Sequence, residues 1–294
     1  MRAGPILLAV AVACAIAHAV GILFAHPLVR YAELLSLGLL LGYAFVTGLH
    51  APRWAVPSAF AVLLIDAIRT LPAESGGHGY GWQVLQRATE VDPAPGFASG
   101  VALTWASLTA ITLLLLAWRR GGWHRRTVAG AAVAACLVIG YAAVRVIDIG
   151  HDLRARDLRY SDAPDTARTM TAVVAAVVPA TALGLTAIAL AAALAGHRRR
   201  LAAAGAALLA VVALPHLDAS IGAVPLPLYA GDSTALFAWH AIAPTLAMRQ
   251  PVPALTAAVE LTAYLLLAVG LSRAHPTAGP PERPTTPRAV RPPA

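Results

Sequence analysis

An all-α polytopic bundle of eight or nine membrane-spanning helices is the fold that the sequence predicts, on three observations. The 294 residues are 59% hydrophobic and only 12% charged, against roughly 25% charged in soluble domains. A water-soluble fold of this length cannot hide so much apolar surface, because a single core stops growing near this size. Apolar runs long enough to cross a bilayer recur along the whole chain, separated by short polar segments. No segment alternates apolar and polar residues at period two, so a transmembrane barrel is not expected. Backbone groups in lipid must then bond within their own segment, which leaves helices.

The first apolar run is Ile6 to Ala25, behind Met1-Arg2. Its positive start and Ala17-His18-Ala19 resemble a signal peptide with its cleavage site. A second spanning run follows closely, however, so a retained first helix is the expectation. The second run is Tyr31 to His50 and the third Trp54 to Leu71. A polar, glycine-rich loop over 72–95 follows, irregular around Gly76, Gly77, Gly79 and Gly81. The fourth run is Phe97 to Trp118 and the fifth Thr127 to Ile149, joined by an arginine-rich turn over 119–126. After a mixed-charge loop over 151–168, the sixth run is Met170 to Ala195 and the seventh Leu201 to about Ser220, interrupted by Pro215. The eighth, Ser233 to Met248, is short and contains Pro244; the ninth is Pro253 to Leu271. Residues 1–272 thus form one transmembrane domain, and 273–294 a disordered Pro/Arg-rich tail.

All 22 basic residues besides histidine are arginine, and the formal charge is +8. The arginines lie mostly between apolar runs, which is the pattern of membrane topology rather than of nucleic-acid binding. With the amino terminus cytoplasmic, the inner segments carry Arg2, Arg53, Arg119, Arg120, Arg125, Arg126, Arg198, Arg199, Arg200 and Arg249 and no acid. The acids Glu74, Glu90, Asp92, Asp152, Asp157, Asp162, Asp165 and Asp232 all fall outside. The tail, with Arg273, Arg283, Arg288 and Arg291, is the one dissenting segment if nine crossings are made; eight crossings return it inside. The bilayer of a bacterial-type inner membrane is the partner expected, with a small solute or proton, and no nucleic acid.

An ionisable residue within a spanning segment costs roughly 2.5–3.5 kcal/mol on insertion scales and is a functional lead by default. Here these are His18, Glu33, Asp66, Arg69, Arg145, Asp148, His216, Asp218, His240 and Glu260. Nearly all fall in the outer half of their helices, which predicts a polar cavity open to the extracytoplasmic side. Tyr141, Arg145, Asp148 and Asp152 share one stripe of the fifth helix. Asp66 and Arg69 repeat the i, i+3 spacing of Arg145 and Asp148, so a four-membered network between the third and fifth helices is expected.

The expected substrate-binding or proton-relay set is Asp66, Arg69, Arg145, Asp148, His216, Asp218 and His240, with arginines holding anionic groups and Asp and His exchanging protons. Two other readings stay open. In one, His216, Asp218 and His240 ligate a metal, or His18 and His240 a haem, since imidazole and carboxylate suit zinc or iron. In the other, the buried charges only tie helices together in a non-catalytic assembly protein. Glu260, alone in the ninth helix, is expected to be a structural carboxyl more than a proton carrier.

The remaining motifs add little. Cys14 and Cys136 sit singly in apolar runs, which is no disulfide framework. Gly38 and Gly42 form a GxxxG, a spacing that permits close helix approach. No Walker loop, GxSxG, Rossmann fingerprint or HExxH is present. His26-Pro27-Leu28 leading into an apolar helix, and the passage from Phe97 through the arginine-rich turn, resemble parts of the bacterial copper-resistance membrane proteins. The likeness covers under a third of the chain, lacks those proteins' histidine context, and implies no site residues here. Catalytic residues and cofactor are unknown from the sequence.

Overall fold

The computed structural model describes residues 3–24, 29–47, 54–70, 94–118, 125–157, 166–197, 199–224 and 251–272. All of these fold as helices and their short ends: α1 (Ala3–Leu23), α2 (Val29–Val46), α3 (Ala55–Arg69), α4 (Ala94–Trp118), α5 (Arg125–Asp157), α6 (Thr166–Gly196), α7 (Arg200–Gly222) and α8 (Pro251–Ser272). Six of them, all but α2 and α3, are long and apolar enough to cross a membrane. The described residues are therefore all helical, and the six long apolar helices suit a membrane protein. The expected eighth apolar run, residues 233–248, lies outside the described residues, as do most of the loop over 72–95 and the tail over 273–294.

Seven helices close into a ring: α1 packs on α2, α2 on α3, α3 on α4, α4 on α6 and α7, α6 on α7, α7 on α8, and α8 back on α1. α5 lies outside the ring against α6, touching α7 only lightly. Burial follows this plan. α6 buries a long stripe that includes Ala172, Ala176, Ala180, Leu183, Ala187 and Leu190. The spacing of three and four residues keeps this stripe on one face. α5 instead turns Val133, Leu137, Val144 and Ile147 outward, where lipid is the natural solvent for them.

Helix direction follows from contacts near the ends. A Cβ on Gly4 of α1 would meet Tyr43 and Thr47 near the end of α2. The Tyr43 hydroxyl bonds the Ser272 hydroxyl at the end of α8, at 3.0 Å. Arg199, at the start of α7, donates to the last carbonyls of α8, Gly270 and Leu271, and its guanidinium stands over the Trp118 ring at the end of α4. Burial pulls this guanidinium below its usual range, yet arginine stays charged and serves as a C-cap for α8. The chain start and the end of α8 thus share one end of the bundle, here called the near end. At the far end Gly96 of α4 lies against Val224 behind α7. α7 thus ends at the far end, and α8 starts there.

Close approaches depend on particular glycines. A Cβ on Gly270 would lie 2.3 Å from the Ala202 nitrogen, and one on Gly205 would lie 2.6 Å from the Ala263 carbonyl oxygen. Backbone therefore meets backbone along the near half of the α7–α8 seam. The GxxxG of Gly38 and Gly42 plays no such part, because nothing stands within 4 Å of either hypothetical Cβ.

Two local expectations change. The loop expected over 151–168 is helical as far as Asp157, and α6 begins at Thr166. Leu, Arg and Ala favour helix, and Leu153 is buried in the cluster that α5 forms with α6 and α7. At 33 residues, α5 is about 50 Å long, well beyond the ~30 Å hydrocarbon core. Of the two cysteines in apolar runs, Cys136 is exposed and Cys14 half-buried.

Candidate functional site in the bundle interior

Polar residues gather at three separate places. The deepest surrounds Glu260, whose position in α8 is roughly 15 Å from either helix end. Its Oε1 accepts from the Tyr264 hydroxyl at 2.8 Å and lies 3.2 Å from Ser107 Oγ of α4. The two hydroxyls are 2.7 Å apart. Glu260 and Tyr264 face the same way because they are one helical turn apart. Ser107 and Tyr264 are buried. The other carboxylate oxygen, Oε2, looks toward His216 Nε2 of α7 at 3.8 Å. That is too long for a hydrogen bond, and His216 Nε2 is buried without a hydrogen-bond partner.

Proton counting constrains the Glu260 triangle. Its three oxygens make three mutual contacts, and the two hydroxyls bring only two protons. An ionised Glu260 accepts from both hydroxyls and leaves only the contact between them without a proton. A protonated Glu260 supplies the third proton, so that each oxygen donates once around the ring. The geometry fits a carboxyl that can hold a proton and has a histidine beside it to receive one.

A second His–Glu pair lies on the other side of the same interior. His18 of α1 is buried, with Nε2 3.7 Å from Glu33 Oε2 of α2. Glu33 is also within electrostatic reach of Tyr264. The two carboxylates keep 24% and 34% of their side chains accessible, Glu260 and Glu33 respectively, whereas their histidines and hydroxyls are far more enclosed.

The other two places lie at the edge of the bundle toward the far end. Asp66 of α3 accepts the Trp105 indole N–H of α4 at 2.8 Å and pairs with Arg69 at 3.2 Å. The Arg69 guanidinium stands over the Trp105 ring, 5.2 Å from its centre. Between α5 and α7, Asp218 takes Arg145 Nε on one oxygen and the Tyr141 hydroxyl on the other, each at 2.7 Å.

Of the seven residues expected to converge, then, the structure brings only some together. Asp66 stays with Arg69, and Arg145 joins Asp218. Asp148 is exposed on α5, and His240 is outside the described residues. The four-membered network between α3 and α5 does not form, because α3 packs on α2 and α4 while α5 packs on α6 and α7. Among the described members of the set, His216 alone lies beside Glu260. Nor do His216 and Asp218 share ligands: two residues apart on a helix they diverge, toward Glu260 and Arg145 respectively. No group of three or more His, Cys, Asp or Glu suited to a metal occurs among the described residues.

Glu260, His18 and Glu33 carried a sequence signal as costly intramembrane groups. Ser107 carried none, since a lone serine in an apolar helix is ordinary. Tyr264 was visible only through its spacing from Glu260. Comparison of the chain with protein-family models, with curated proteins and with solved structures finds no match.

Proposed function

We propose that this chain is a transporter-like, small-solute-binding protein of the cell membrane, with a proton-exchanging centre at Glu260. The observation that carries the reading is the Glu260 cluster: a mid-bundle carboxyl whose Oε1 accepts from two hydroxyls and whose Oε2 lies 3.8 Å from the His216 imidazole. His216 beside it and the His18–Glu33 pair across the interior are the groups that exchange protons with it. Ser107 and Tyr264 orient the carboxyl. The arginines have a different role from the one their charge first suggests, since both are engaged with aspartates at the bundle edge.

In this reading the amino terminus is cytoplasmic, the near end faces the cytoplasm and eight crossings are made. The support is the return of α8 to the near end, which puts the tail arginines on the side of the other basic segments, as the positive-inside bias requires. A carboxyl-terminal reporter active only in the periplasm would contradict it.

The decisive functional measurement uses the full chain reconstituted in liposomes that enclose a pH-sensitive dye. Imposed solute gradients are expected to move protons, and Glu260→Gln to abolish the movement while the purified protein remains monodisperse. Proton movement unchanged in Glu260→Gln would reject the proposal. A non-catalytic assembly role draws support from the two edge clusters, each of which only joins neighbouring helices. It expects Glu260→Gln to leave every activity of the protein intact.

A further inference from the structure

We infer that the far rim of the crease between α5 and α7 holds the headgroup of a zwitterionic phospholipid with a primary ammonium, that is, phosphatidylethanolamine. The site lies on the lipid-facing surface, apart from the proton centre at Glu260. Lipid covers this surface in any case, and the side chains decide which headgroup stays.

Three helices build the crease. α6 forms its floor at Gly184, where a Cβ would meet Val138 of α5 at 3.1 Å and Ala213 of α7 at 3.3 Å. α5 and α7 otherwise touch only lightly, and Leu137 and Val211, next in line on the two helices, are exposed apolar side chains. An exposed apolar surface of this kind suits an acyl chain.

Toward the far end polar groups bridge the crease. Arg145 gives its Nε to one Asp218 oxygen, and the Tyr141 hydroxyl donates to the other. The Arg145 side chain is still 38% exposed, and its two terminal amino groups have no hydrogen-bond partner among the described residues. Asp148, three residues on, is exposed and within electrostatic reach of Arg145, which pairs with Asp218 instead.

The depth is that of a headgroup. Gly150 lies against Met170 near the start of α6, which fixes this as the far end of α5. From Arg125 to Arg145 the helix rises about 30 Å, the thickness of the hydrocarbon core. With the exposed Arg125 and Arg126 in one headgroup layer, Arg145 reaches the other, and Asp148 stands about 4.5 Å further out.

The order of charges matches one headgroup. Phosphate oxygens accept from the Arg145 amino groups, and the ethanolamine ammonium, further from the hydrocarbon, donates to Asp148. Arg145, Asp148 and Asp218 carry one net negative charge, while the exposed Asp152 and Arg154 beyond them balance one another. An anionic lipid would add repulsion. Phosphatidylcholine brings a cation without an N–H to donate.

The test is native mass spectrometry of the detergent-purified full chain, offered equimolar phosphatidylethanolamine, phosphatidylcholine and phosphatidylglycerol with the same acyl chains. Phosphatidylethanolamine is expected to be retained about three- to fivefold over phosphatidylcholine, the range of an exposed ion pair, and phosphatidylglycerol least. Asp148→Asn should bring phosphatidylethanolamine down to the level of phosphatidylcholine, with the melting temperature in lipid-free detergent unchanged. Asp66→Asn, at the α3–α4 edge, should keep the preference. Equal retention of the two zwitterionic lipids, or a preference that survives in Asp148→Asn, overturns the proposal. Preferred phosphatidylglycerol overturns it in favour of a simple anion site on Arg145. Lipid-free masses of two chains that revert to one in Asp148→Asn overturn it in favour of a second copy on this face.

Discussion

Asp66 and Asp218 at the edge of the bundle have an arginine each, at 3.2 and 2.7 Å, while Glu33 and Glu260 in the interior have a histidine each, at 3.7 and 3.8 Å. The difference is one of permanence. Arginine keeps its charge at any pH that a protein survives, so an aspartate beside it is neutralised for good and the pair serves as a tie between helices. Histidine gains and loses its proton in the physiological range, and its slightly long distance to the carboxylate leaves room for that change. In the proposed reading, the fixed pairs at the edge hold the bundle together and the histidine pairs inside carry the exchange.

Substitutions can break that contrast, beginning with the largest effect. Glu260→Gln should eliminate proton movement in liposomes while shifting the melting temperature in detergent little, because glutamine still accepts from Tyr264 and Ser107. Asp218→Ala should act the other way: Arg145 and the Tyr141 hydroxyl lose their partner, and stability falls by about 1–2 kcal/mol, near the upper end for polar contacts between membrane helices, with proton movement kept. The half-exposed position of the pair argues against a larger cost. Trp105→Phe removes one hydrogen bond to Asp66 and should cost about 0.6 kcal/mol, read as a small drop in the detergent melting temperature. Asp148→Asn should change neither activity nor stability measurably, since that carboxylate faces outward from α5. A loss of proton movement in Asp148→Asn would shift the working centre back to the edge of the bundle.

Much of the fold was legible because lipid imposes a simple code. The run Ile6 to Ala25 became α1 (Ala3–Leu23), and Pro253 to Leu271 became α8 (Pro251–Ser272). The code failed where the helix left the apolar range: α5 continues through His151, Asp152 and Arg154, which hydropathy reads as loop although their backbone preference is helical. The site was less legible. Asp66 and Arg69 are paired within one turn, as their spacing suggested. Arg145 had the same opportunity with Asp148 and instead took Asp218, 73 residues away. Which of two acids an arginine reaches is decided by which helix packs beside it, and an apolar Ala-rich surface gives little hint of that. Sorting by depth does not reveal direction: His216 and Asp218 have nearly the same depth and face different neighbours.

The tight seam between α7 and α8 has a consequence for any passage through the molecule. From Gly205 to Gly270 the two backbones touch without intervening side chains, and Arg199 latches the seam at its near end. Such a joint leaves no gap to widen and makes the two helices a rigid pair. His216 and Glu260 ride together on that pair, so in the proposed reading a path to the near face opens elsewhere than between α7 and α8. Labels bridging α4 and α8 would then report the motion, whereas labels bridging α7 and α8 would stay still.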